Sequence, residues 1–95
     1  MPLPPQHERD LYRLFASVQG EEEAKLLLQD ILTPQELASV AERWQLIRAL
    51  DAGLPQRDIA KKLKISISKI TRGSHMLQYG KGGFRVFLER LGKGK

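Results

Sequence analysis

Residues 56–77 read QRDIAKKLKISISKITRGSHML, and this stretch decides the fold. Apolar side chains fall at Ile59, Leu63, Ile65 and Ile70, with Ala60 where two crossing helices need a small residue. Such spacing on either side of a short polar break marks two short helices joined by a tight turn. It is the spacing of a helix-turn-helix, in which the first helix braces the second in the DNA major groove. Ile59, Leu63, Ile65 and Ile70 are then structural, and function belongs to the polar residues around them.

On the first helix, Arg57 can meet a guanine edge through both arms of its planar guanidinium group. Lys61 and Lys62 on that helix, and Lys64 in the turn, suit phosphate contacts that set register without reading sequence. On the second helix Ile67, Ser68, Thr71 and His75 project outward, flanked by Lys69 and Arg72. Ile67 and Ser68 stand at its N-terminus, the end usually aimed at bases. Each alone is an ordinary exposed side chain, and the weight lies with the set. Two residues are unusual for the motif. Lys64 stands where a turn favours glycine, at a cost of about 1 kcal/mol for a left-handed residue. Gly73 lies inside the second helix, unfavourable by up to about 1 kcal/mol relative to alanine. It marks a close approach by a ligand or another backbone.

The charge distribution agrees. Over all 95 residues the net charge is +5, but residues 1–52 carry five Lys/Arg against nine Asp/Glu, and residues 53–95 carry eleven against two. Positive charge gathered in the half that holds the motif is what release of phosphate counterions requires. A basic helical module docking an acidic protein or an anionic membrane shares that charge, but has no use for a glycine inside its helix. An enzyme fits worst. The histidines are His7 and His75, with no carboxylate pair, phosphate-cradling loop or nucleophile motif beside them. No catalytic residue and no metal site is expected. Cysteine is absent, which fits a reducing compartment. No run is long and apolar enough for a membrane span, and MPLPPQHERD lacks a signal-peptide core. The expected location is cytoplasmic.

The length predicts one domain over residues 7–95, preceded by a loose proline-containing arm at residues 1–6. Leu11, Leu14, Phe15 and Val18 predict a first helix over 7–19, ended by Gly20. Glu21, Glu22 and Glu23 open the second, where the helix dipole favours negative charge. Leu26, Leu27, Leu28 and Ile31 make its apolar surface too wide for a monomer exterior. Thr33-Pro34-Gln35-Glu36 is a capping box with proline at the first helical position. Its helix should run to about Ala52, burying Leu37, Val40, Ala41, Trp44, Ile47 and Leu50, with Gly53 as C-cap. The motif helices follow at 56–63 and 67–77, the second capped by Ser66. A glycine loop leads to a sixth helix at 84–91 and a basic tail, GKGK. Nothing reads as a strand.

Thr71-Arg72-Gly73-Ser74, with Leu32-Thr33-Pro34, Arg43, Gly53 and Gln56-Arg57, resembles the bacterial tryptophan repressor family. The resemblance covers about residues 32–77, one residue shorter between Gly53 and Gln56. It implies an all-α, six-helix fold forming an intertwined homodimer, with terminal helices interlocked between subunits. It implies a repressor of transcription that binds a palindromic operator in double-stranded DNA, with L-tryptophan as corepressor. By resemblance Arg43 and Arg72 would sandwich the indole ring and Arg72 would pair with the ligand carboxylate. Gly73 would leave room for the ring, Ile47 would line the pocket, and carbonyls near Leu32 and Thr33 would lie by the amino group. Arg57, Ile67, Ser68 and Thr71 would face bases, with Lys69, His75 and Gln78 near phosphates.

Two positions depart from the family pattern. Lys69 replaces a pocket threonine, and Met76 replaces the serine that meets the amino group. A thioether supplies no strong acceptor, and a buried ammonium short of one partner loses about 1–3 kcal/mol of binding. A different effector, or none with Met76 filling the pocket, is the alternative to L-tryptophan.

Overall fold

A computed structural model describes residues 2–92. They form six helices: α1 (Pro5–Ala16), α2 (Glu21–Ile31), α3 (Pro34–Asp51), α4 (Gln56–Leu63), α5 (Ile67–Tyr79) and α6 (Gly83–Gly92). No strand occurs among the described residues. The chain divides into two compact units, Met1–Leu37 and Ala38–Lys95, with α3 beginning in the first and continuing in the second.

In the first unit, α1 begins at Pro5, two residues before the apolar spacing suggested, with Pro4 extended as its N-cap. Proline at the first helical position lacks only an N–H that the helix leaves unpaired anyway. The helix ends at Ala16, where the Ser17 hydroxyl donates back to the Leu14 carbonyl at 2.7 Å. Gly20 supplies the φ of 93° that turns the chain into α2. At the head of α3 the capping box closes both ways. The Glu36 amide donates to Thr33 Oγ1 at 3.1 Å, and the Thr33 amide donates to Glu36 Oε1 at 2.8 Å.

In the second unit, α3 ends in a Schellman motif. Gly53, at φ 84°, donates its amide to Leu50 O, and Leu54 donates to Ala49 O across it. Helix α4 starts after Pro55 and stops at Lys64, the one non-glycine residue with positive φ among the described residues. Ser66 caps α5 by accepting from the Lys69 amide at 3.2 Å. Lys64 holds φ 56°, ψ 47°, a conformation in which glycine has no Cβ to strain. Lys64→Gly should therefore raise stability by about 0.5–1 kcal/mol, read as a higher urea midpoint with unchanged slope. A lower midpoint would show that the lysine side chain contributes more than its backbone costs.

The core lies where α3, α4 and α5 meet. Leu46, Ile59 and Ile70 are buried, with Ala49, Leu50, Ala60, Leu63 and Ile65 packed around them. The motif residues fall as their spacing requires. On α3 Ile47 is buried as expected and Leu37, Trp44 and Leu50 are half-buried, but Leu46 is buried as well, while Val40 and Ala41 are exposed. Leucine, valine, alanine and isoleucine occur all round this helix, so no single apolar stripe selects its inner face. Helix α5 runs two residues past the expected end, to Tyr79, whose ring rests on His75 with centroids 5.0 Å apart. Trp44 of α3 stacks with Phe84 of α6 at 6.3 Å. Helices α1, α2 and α6 contain no buried residue, and no described helix is long and apolar enough to cross a membrane.

Candidate nucleic-acid interface and effector notch

Burial of Ile70 and Gly73 fixes the rotation of α5. Ile67, Ser68, Lys69, Thr71, Arg72, His75 and Gln78 are consequently exposed, as are Arg57, Lys61 and Lys62 on α4 and Lys64 in the turn. All ten residues expected to meet DNA thus lie on the exposed surface of one two-helix unit, pinned from within by Ile59 and Ile70. The first turn of α5 carries no acidic residue, so no side-chain carboxylate on that turn offsets the positive character of its amide end. Ile67, half-exposed at the head of that helix, offers an apolar surface of the kind that meets a thymine methyl.

Lys69 is the exception to a free cationic surface. Its ammonium lies 3.2 Å from Glu42 Oε1 on α3, with side-chain exposures of 63% and 36%. A pair this open to water contributes about 0–1 kcal/mol, yet it directs the lysine toward α3. Glu42 was not singled out from the sequence. A carboxylate 27 residues from its partner leaves no periodic trace, and the substitution at Lys69 was the only hint.

The residues expected at the effector site fall on several elements of the chain. Leu32 and Thr33 belong to the first unit, where the Thr33 hydroxyl serves the helix cap. Arg43 and Ile47 lie on α3, and Arg72, Gly73 and Met76 on α5. The two arginines are exposed and Ile47 is fully buried. Space beside Gly73 is already taken: a Cβ built there would meet Leu46 Cδ2 at 2.7 Å, Leu46 Cγ at 3.2 Å and Leu50 Cδ1 at 3.6 Å. The close approach marked by this glycine is therefore made by a leucine of α3.

Two clefts lie elsewhere on the second unit. One, about 550 Å³, is apolar and lined by Trp44, Met76, Leu77, Phe84 and Phe87 together with the glycines before α6. The other, about 530 Å³, has Leu63, Leu88 and Leu91 in its wall and Arg48, Asp51 and Lys62 as its charged groups. Neither is lined by Arg43, Arg72 or Gly73.

Comparison with known proteins converges on one family. The family model described as Trp repressor protein matches residues 6–92. A Trp operon repressor homolog of Chlamydia trachomatis serovar L2 is 36% identical, over 87% of this chain and 94% of that one. Another from Pasteurella multocida is 44% identical, over 66% of this chain and 61% of that one. Among solved structures, a TrpR-like protein from Eubacterium eligens superposes with a TM-score of 0.85 at 30% identity, covering 92% of this chain and 90% of that one. The match extends well beyond the helix-turn-helix to all but the outermost residues. The chain belongs to the Trp repressor family of helix-turn-helix transcriptional regulators, and its role is regulatory rather than enzymatic.

Proposed function

We propose that this regulator is a repressor that binds a palindromic operator in double-stranded DNA as a homodimer. One observation carries the proposal. The two-helix unit buries Ile59 and Ile70 and leaves Arg57, Ile67, Ser68 and Thr71 exposed beside four lysines. Arg57 and the first turns of α5 take the bases, while Lys61, Lys62, Lys64, His75 and Gln78 lie along the phosphates and Lys69 is drawn toward α3 by Glu42. A second copy accounts for the apolar side chains that one chain leaves in water. Leu11, Leu14 and Phe15 on α1, and Val86, Phe87 and Leu91 on α6, are each at least 40% exposed. Two-fold symmetry in the protein then requires two-fold symmetry in the site. Repression acts on DNA, which places the protein in the bacterial cytoplasm.

The relatives are named for the Trp operon, so L-tryptophan is the first effector to test. Arg43 and Arg72 are present for an indole ring, but Leu46 fills the space on the Cβ side of Gly73 and Met76 offers the ammonium no strong acceptor. The residues present do not fit that ligand as they stand, and DNA recognition is proposed without it.

Selection from a random duplex pool at two salt concentrations tests the function, with sedimentation giving the oligomeric state. Enrichment of a symmetric site with half-sites about one helical turn apart, bound by a dimer, is expected. Equal retention of all sequences, or a monomer at working concentration, sinks the operator or the dimer respectively.

A further inference from the structure

We infer that the seam between α3 and α5 is closed by the chain's own side chains, so that this regulator positions its recognition helix without an amino-acid corepressor. The inference rests on the proposed DNA recognition by α5. Two contacts form the seam, and they share a spacing. Glu42 and Leu46 stand four residues apart on α3, and their partners Lys69 and Gly73 stand four apart on α5. Residues at that spacing lie one above the other on a helix face, so ion pair and apolar contact stack along one line joining the two helices.

The apolar contact excludes a ring. Carbon atoms rest about 3.5–4.0 Å apart at best separation, and an indole ring laid on Gly73 would need that shell. On the side of its absent Cβ, Leu46 and Leu50 already occupy it, and Leu46 is 5% exposed, held by Ile59 and Ile70. One turn nearer the start of α5, the Lys69 ammonium bridges to Glu42. This is the position at which the family resemblance puts a pocket threonine. One turn beyond Gly73, Met76 is half-exposed and lines the apolar cleft beside Trp44 and Phe84. It gives an amino acid's ammonium nothing to hold. A ligand wedged beside Gly73 would have to displace Leu46, while the exposed Lys69–Glu42 pair only adds to the same line of contact. The seam instead does what a wedge would do, fixing α5 against α3. Arg43 and Arg72 are left exposed.

Calorimetric titration of the full chain with L-tryptophan to millimolar concentration tests the seam without DNA. No saturable heat is expected, and saturable binding overturns the inference. Anisotropy of the selected operator with and without 1 mM L-tryptophan should differ less than twofold, whereas tenfold tightening overturns it. Leu46→Ala opens the seam and should weaken operator binding at least tenfold, while Leu46→Met, which keeps it filled, should bind within threefold of wild type. Equal operator affinity for both variants means that the seam does not position the helix. If Leu46→Ala does not fold, the two wild-type measurements still decide. A chain that selects no operator defeats the repressor function, and the titration separately decides whether the seam admits the ligand.

Discussion

Replacing Ile70 by alanine is expected to cost about 2–5 kcal/mol of folding stability, the range for an isoleucine removed from a core that closes only partly around the gap. Ile70 has no exposed surface and packs in a cluster whose other fully or nearly buried members are Ile59 and Leu46. So few residues carry this core that no distant layer shares the loss. A domain of this size is stable by about 5–15 kcal/mol in all, and each kilocalorie shifts its melting point by about 4–8 °C. The melting point should therefore fall by at least 8 °C at fixed protein concentration, followed by circular dichroism. Helix propensity works in the opposite direction, since alanine is the better helix former. A fall can thus be assigned to packing. Ile70→Val, which removes one methylene, should cost about 0.5–1.5 kcal/mol. If Ile70→Ala melts within 3 °C of wild type, the three-helix junction is not where the stability of this unit resides.

That junction was also the most legible part of the sequence, for a physical reason. Ile59, Leu63, Ile65 and Ile70 are the apolar residues of two short helices whose remaining positions are polar, so one face is available to bury. Helix ends were equally plain where a specific side chain or glycine makes them: Thr33 and Glu36, Gly53, Ser66, and the left-handed Lys64. Helix α3 was not, because apolar residues surround it. Leu46 stands beside Ile47, and periodicity cannot choose between adjacent isosteric residues whose neighbours are apolar too. The start of α1 is ambiguous for another reason. Proline suits a loose arm and a first helical position alike, and Pro5 takes the second role.

For the candidate site, exposure of the cationic set followed from the same periodicity that buried Ile70. What stayed hidden was the pairing of α3 with α5. Gly73 signalled that something comes close, but not what. A glycine in a helix is equally consistent with a ring, a backbone or a branched side chain above it, and only the crossing geometry identifies Leu46. Glu42 shows the same limit. Within one helix an ion pair leaves a spacing of three or four residues. Between two helices it leaves none.

Removing the Arg57 side chain should separate base reading from phosphate contact. A bidentate contact to guanine contributes about 1–3 kcal/mol of discrimination against the wrong base. Arg57→Ala should therefore weaken binding of the selected operator about 5- to 150-fold while changing random duplex affinity little. Lys62→Ala should weaken both by a similar factor and reduce the slope of log affinity against log salt by about 1, the signature of one phosphate contact. Arg57 is the second residue of α4, after Pro55 has fixed the direction of entry, and both side chains are exposed. Neither substitution removes a core group, so a melting point close to wild type shows that affinity is lost at the interface. The contrast between the pair matters more than either value. A non-specific polycation would lose affinity for operator and random DNA together whichever cation were removed. If Arg57→Ala behaves as Lys62→Ala does on both duplexes, α4 serves only the backbone, and sequence must be read by Ile67, Ser68 and Thr71 on α5.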